Sequence, residues 1–385
     1  MIHFICLLIV LDHAAFSGSR VGVSLFALEL GANQMTVGIM MASYAIFPML
    51  LGVYCGRLAD RVGPRLPMFI GTLGVGVALL LPLFFPGLPA LYACSLLLGS
   101  SFHFFFVPVQ GTAGGIGGPG KRARNFAVVS MGFSAASFLG PTLAGFAIDH
   151  IGHRWTFGVL ASLTALPLVL IALRPDLLPK AAPADEAGRQ HQRARDLWRI
   201  KPLRNAFIAS GFISAGWDLF QFYFPVYGHQ IGLSASVIGA VLGVFALATF
   251  AIRTVLPRLV KRYSETEILG GAVLLAACAF ALFPFFGDPL VLGAIAFVLG
   301  LGLGCGQPMS MSLIYALAPQ GRAAEAAGLR VMVNNVTHLV MPLLFGTLGT
   351  AFGYYPVFLS NAALLAAGST LLRRKAQHGA ASSTP

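Results

Sequence analysis

Residues 56–65 read GRLADRVGPR, and the reading of this short run decides how the whole chain is understood. It is a charged hinge set between two long apolar stretches, Met35 to Cys55 before it and the run beginning at Leu66 after it. Gly56 and Gly63 allow a backbone to turn sharply and to approach another closely. Asp60 stands among Arg57, Arg61 and Arg65, so the hinge is cationic with one embedded anion.

Working outward, the 385 residues are 57% hydrophobic and only 10% charged, with a mean hydropathy of +0.81. Soluble domains carry about a quarter charged residues, so the chain reads as an all-α polytopic membrane protein. A helix needs about 20 apolar residues to span a bilayer. Twelve such runs lie near 4–29, 35–56, 66–86, 89–112, 126–149, 154–173, 205–228, 233–256, 267–286, 289–317, 327–350 and 354–373.

The net charge of +12 raises the question of nucleic acid, and its distribution answers it. Arg57, Arg61 and Arg65, Lys121, Arg122 and Arg124, the cluster from Arg174 to Arg204, Arg258, Lys261 and Arg262, Arg322, and Arg373, Arg374 and Lys375 all fall in alternate loops or the tail. Arg154 is the exception. Positive charge on one side of the spans marks that side as cytoplasmic, which places both termini in the cytoplasm, with the lipid bilayer rather than nucleic acid as the partner of the chain. The five cysteines are scattered through predicted spans without a CxxC pair, so neither disulfide nor metal site is implied. The first run lacks a basic leader and carries Asp12, His13 and Arg20, which suits a retained helix better than a signal peptide.

The stretch 175–204 is the one long polar linker, and it divides the sequence into a first six-helix bundle (1–174), a second (205–374) and a cytoplasmic tail (375–385). Near the end of the linker Trp198, Ile200 and Leu203 alternate with basic residues, as in a short amphipathic surface helix. Sliding one half over the other by 201 residues pairs Gly31 with Gly232, Gly99 with Gly300, Pro141 with Pro342 and Gly152 with Gly353. The same offset lays GRLADR (56–61) on PRLVKR (257–262). Shared glycines and prolines mark backbone geometry, so the halves read as parallel repeats.

On these residues the chain resembles the major facilitator superfamily of secondary transporters. Gly56, Leu58, Asp60, Arg61, Gly63 and Arg65 match the superfamily's loop between its second and third helices, with Pro64 where a basic residue is usual. The resemblance implies two six-helix bundles working by alternating access in the inner (plasma) membrane, and a gate-closing role for Asp60. In the second half Lys261 replaces that aspartate. Gly140, Pro141 and Gly145 resemble a degenerate form of the glycine-rich fifth-helix motif of the antiporter branch, whose bend would seal the cavity against proton leak; ordinary close packing is the alternative reading.

Ionisable residues deep in spans point to function, because a charge at the bilayer centre costs at least ~2.5–3.5 kcal/mol. Among the acids only Asp12 and Asp218 qualify. Either suits proton coupling, with Arg20 as charge partner or as anchor for an anionic substrate, although only eleven residues precede Asp12. A structural ion pair is the alternative. Arg253 and Arg330 lie near enough to span ends to snorkel. Expected cavity residues are Trp217, Gln221 and Tyr223 in the seventh span, His103 and Gln110 in the fourth, Gln307 in the tenth, and Asn334, Asn335 and His338 in the eleventh. The glycines of 300–306 lie inside an apolar run, where they serve helix packing rather than phosphate binding. The reading is a monomeric proton-coupled exporter of a small organic compound, not an enzyme, with protons and the compound as its ligands and no cofactor. Proton-symport uptake, or a non-transporting sensor or assembly member of the same fold, are the alternatives.

Overall fold

The computed structural model describes residues 1–116, 122–174, 178, 195–319 and 322–381. Its first half holds α1 (Ile2–Glu29), α2 (Gln34–Val62), α3 (Arg65–Phe84), α4 (Leu88–Gly115) and α5 (Arg122–Leu173). Gly152, with φ of 84°, breaks α5 into two arms. A short α6 (Arg195–Arg199) precedes α7 (Lys201–Gln230), α8 (Ala235–Leu259), α9 (Glu265–Leu282), α10 (Pro289–Leu317), α11 (Ala323–Phe352) and α12 (Tyr354–Ala381). Leaving out the short α6 and counting the two arms of α5 separately, these make twelve long helical segments among the described residues, the number of spans expected. Among the described residues, eight of the helices are long and apolar enough to cross a membrane by length and composition alone.

The ends of the helices repeat as the sequence does. Every positive-φ residue among those described is a glycine: Gly31 (81°), Gly63 (81°), Gly152 (84°), Gly232 (80°) and Gly353 (77°). Four of the five form pairs one repeat apart. At the end of α1 the Ala32 N–H donates to Ala27 O at 2.9 Å, and at the end of α7 the Leu233 N–H donates to Gly228 O at 2.9 Å. Both close their helices through a left-handed glycine, which frees the chain to reverse. Gly63 has no such counterpart. Its repeat position is Ser264, whose side chain caps α9 in a capping box with Glu267.

Packing repeats as well. A Cβ added at Gly99 would come 2.1 Å from Tyr44 O, and one at Gly300 would come 2.5 Å from Phe245 O. These two approaches are the same contact in the two halves, α4 on α2 and α10 on α8. Only glycine permits backbones so close.

The chain forms two compact units, residues 1–188 with 224–243 and residues 189–223 with 244–385. The end of α7 and the beginning of α8 therefore pack with the first unit. In the second unit the end of the linker is seated on protein: Leu197 of α6 and Leu203 are fully buried with Phe207, Ile314 and Ala326, while Trp198 stacks on Phe207 at 5.8 Å. Arg154 of the first unit, the exception to the charge rule, donates from Nε to Leu83 O at 2.6 Å and so satisfies a carbonyl at the end of α3. Its place is structural.

Candidate functional site

In the second unit polar side chains line up along two helices. On α7, Ser210, Ser214, Asp218 and Gln221 follow one another at spacings of four, four and three, so they share one face, and all four are buried. On α11, Arg330, Asn334 and His338 are spaced by four. The two rows meet: Ser210 Oγ donates to Asn334 Oδ1 at 3.1 Å, and His338 Nδ1 donates to Asp218 Oδ2. The second contact joins two ionisable groups that sit very differently. The Asp218 side chain is 3% exposed and the His338 side chain 35%, so the histidine is the open side of a buried carboxylate.

Below this pair Arg330 is only 6% exposed. Its guanidinium donates to Ser310 Oγ at 3.1 Å from Nη2 and at 3.3 Å from Nε, and to Gln307 O at 3.4 Å. The expectation that Arg330 snorkels from the end of its span is therefore corrected. α11 begins at Ala323, and two turns of helix carry Arg330 inward to neutral acceptors on α10. On the neighbouring helices Ser312 of α10 donates to Glu265 of α9.

The remaining expected cavity residues have varied surroundings. Trp217 stands edge-on to Phe245 with ring centroids 5.0 Å apart. Tyr223 is fully buried and packs edge-on against Phe358 at 5.6 Å. Asn335 and Gln110 are half-buried, Gln307 is exposed, and half-buried His103 stacks on Phe106 at 6.4 Å.

In the first unit Asp12 is completely buried, and neither of its oxygens has a hydrogen-bond partner. The hydroxyl of Thr72 on α3 is likewise buried and unpaired. The pairing of Asp12 with Arg20 is not formed, because eight residues along a helix separate two groups by about 12 Å of rise. His13 points elsewhere, packing against Phe102 at 5.2 Å and Phe133 at 5.0 Å and lying 3.4 Å from Ser137 Oγ. The α1 residues 12 and 13 thus face different neighbours.

The hinge is described in part. Asp60 lies in the last turns of α2, but its side chain is outside the described residues. Arg61 is exposed. Arg65 donates to Ile171 O at 3.2 Å from Nε and to Ala172 O at 2.8 Å from Nη2, so it caps the far end of α5. The fifth-helix motif faces two ways. A Cβ at Gly140 would come 2.2 Å from Ser17 Oγ and 2.4 Å from Ala14 O on α1, whereas one at Gly145 would come 2.2 Å from Ala235 O on α8. A Cβ at Gly239 would in turn come 2.5 Å from Pro141 O. The motif thus packs α5 against α1 on one side and the start of α8 on the other.

Sequence reading named Asp218 and His338 separately but not as partners, since 120 positions part them. The regular spacing of Arg330, Asn334 and His338 carried the signal that they share a face.

Comparison with known proteins places these features in a lineage. The family model described as Major Facilitator Superfamily matches residues 5–340 and 268–385. The quinolone resistance protein NorA of Staphylococcus aureus (strain COL) is 23% identical over 358 residues, covering 91% of this chain and 90% of that protein. The multidrug resistance protein MdtG of Escherichia fergusonii is 24% identical over 371 residues, covering 92% of this chain and 89% of that protein. A crystal structure of the nucleoside transporter NupG superposes with a TM-score of 0.83 at 14% identity, covering 97% of this chain and 99% of that one. With a family model matched along nearly its whole length, the chain belongs to the major facilitator superfamily.

Proposed function

We propose that the protein is a proton-coupled exporter of small organic compounds, working as a monomer in the inner membrane with both termini in the cytoplasm, and that Asp218 and His338 are its coupling pair. The observation that carries this reading is the contact between a buried carboxylate and a half-exposed imidazole. A proton arriving at the other ring nitrogen of His338 lets Nδ1 pass its own proton along the hydrogen bond to Asp218, and a change of charge at Asp218 is felt along the polar face of α7, which holds Gln221 and Trp217. Protonation neutralises a carboxylate that would otherwise need compensation in the membrane interior. Export is supported by the two resistance proteins among the relatives and by the antiporter-type motif on α5. The side with the basic loops is read as cytoplasmic from the positive-inside pattern.

The test uses inverted vesicles containing the full chain. An imposed pH gradient, acid inside, drives accumulation of a quinolone by the parent protein, and collapse of the gradient releases it. Accumulation that ignores the gradient contradicts coupling. Gradient-driven loss of compound from the vesicles contradicts export.

A further inference from the structure

The α5 to α8 seam in the first unit carries a contact that the coupling reading does not use. Asp149, near the end of the first arm of α5, accepts the Ala235 N–H at 3.1 Å on one carboxylate oxygen and the Ser236 N–H at 2.8 Å on the other. These are amides of the first turn of α8, which have no partner within their own helix. Ser234 supplies a local cap to the Val237 N–H at 3.3 Å. The two amides before it depend on a residue 86 and 87 positions away.

Three features set this contact apart from an ordinary cap. The ligand is an anion at the positive end of a helix, so both hydrogen bonds are charge-assisted and aligned with the dipole. It comes from another helix, so it holds two elements together instead of finishing one. Next to it the backbones touch at Gly145 and Gly239, where no side chain fits between them. One repeat further on, at position 350, stands Thr350, a neutral hydroxyl. The charged form of the contact therefore belongs to one half alone.

We infer that Asp149 is a latch that holds the start of α8 against α5 and must let go when the cavity opens on that side. The latch lies at the end of the first arm of α5, opposite the basic loops, which is the external end under the orientation proposed above, and its role rests on the alternating-access reading. Release exposes two amides and a carboxylate at a helix end where water can solvate them, so the contact is strong enough to bias a conformational equilibrium and weak enough to be reversible. Asp149 is a positioning residue: it sets how often the seam opens and takes no proton from the coupling pair.

The test places spin labels at Ile151 and Gln230 in the full-length reconstituted protein, its five native cysteines replaced, and measures the distance distribution between them. Both positions are exposed at the same end as the latch. The expected result is a short distance in the parent and a closed-to-open ratio that falls by about tenfold in Asp149→Ala, the loss of charge-assisted hydrogen bonds. Asp149→Asn, which keeps one acceptor oxygen, is expected to shift the ratio less. Distributions identical to the parent in folded Asp149→Ala and Asp149→Asn would overturn the latch. Should the alanine variant not fold, the asparagine variant decides alone: a shift supports the latch, and an unchanged distribution overturns it. The measurement needs neither substrate nor gradient, so failure here leaves the coupling pair standing, and failure of vesicle transport leaves the latch standing.

Discussion

The two buried acids of this protein differ in what surrounds them. Asp218 in the second unit has a histidine on one oxygen, and that histidine is one-third exposed. Asp12 in the first unit is fully enclosed, and neither oxygen has a hydrogen-bond partner. A site that loads and unloads protons needs a route, and the partly exposed imidazole beside Asp218 offers one. At Asp12 a charge would sit in a fully buried place, with the equally buried Thr72 hydroxyl on α3 as its polar neighbour. Two aspartates that look equivalent in sequence therefore differ in their surroundings, one beside a partly exposed imidazole and one fully enclosed.

The largest effect that would sharpen this contrast belongs to Asp218→Asn. The variant is expected to fold and to equilibrate substrate across vesicles, but its gradient-driven accumulation ratio should fall to about one, because without differential binding there is no coupling free energy. Accumulation at the parent ratio would break the assignment. Next is His338→Ala, expected to slow gradient-driven transport by about tenfold through loss of a charge-assisted hydrogen bond, measured as initial rates in the same vesicles. The paired glycine variants come third. Gly99→Ala and Gly300→Ala should each lower stability by ~1–3 kcal/mol from overpacking, read by thermal unfolding in detergent. Their similarity would establish that the helix approaches in the two halves are energetically as well as geometrically repeated. The smallest effect is expected for Asp12→Asn, with transport within about twofold of the parent and no loss of thermal stability, since an uncompensated buried charge contributes none.

Much of this was legible in the sequence, because backbone geometry leaves residue-level marks. Gly31 with Gly232 and Gly152 with Gly353 were aligned by the repeat, and all four adopt the positive φ that makes glycine necessary there. The motif at Gly140, Pro141 and Gly145 resembles the antiporter type in sequence, with close packing as the alternative, and nothing in the sequence shows that it packs against two partners at once. Side-chain partners across the fold left no such mark. Arg330 sits close enough to the start of its span for snorkelling to be the natural expectation, and only the acceptors on α10 show that it turns inward. Asp149 lies at the edge of a span, where charges are ordinary. Its partners are amides that sequence places far away. The pairing of Asp218 with His338 is of the same kind: the residue types suggested chemistry, and tertiary structure supplied the partner.

The contrast between the two acids is tested most directly by infrared difference spectroscopy of the purified full-length protein during a pH titration, which follows carboxyl C=O bands without any substrate. The expected result is a titrating carboxyl band that is absent in Asp218→Asn, displaced in His338→Ala and retained in Asp12→Asn. A band that persists in Asp218→Asn and vanishes in Asp12→Asn would contradict the assignment and move the coupling site to the first unit.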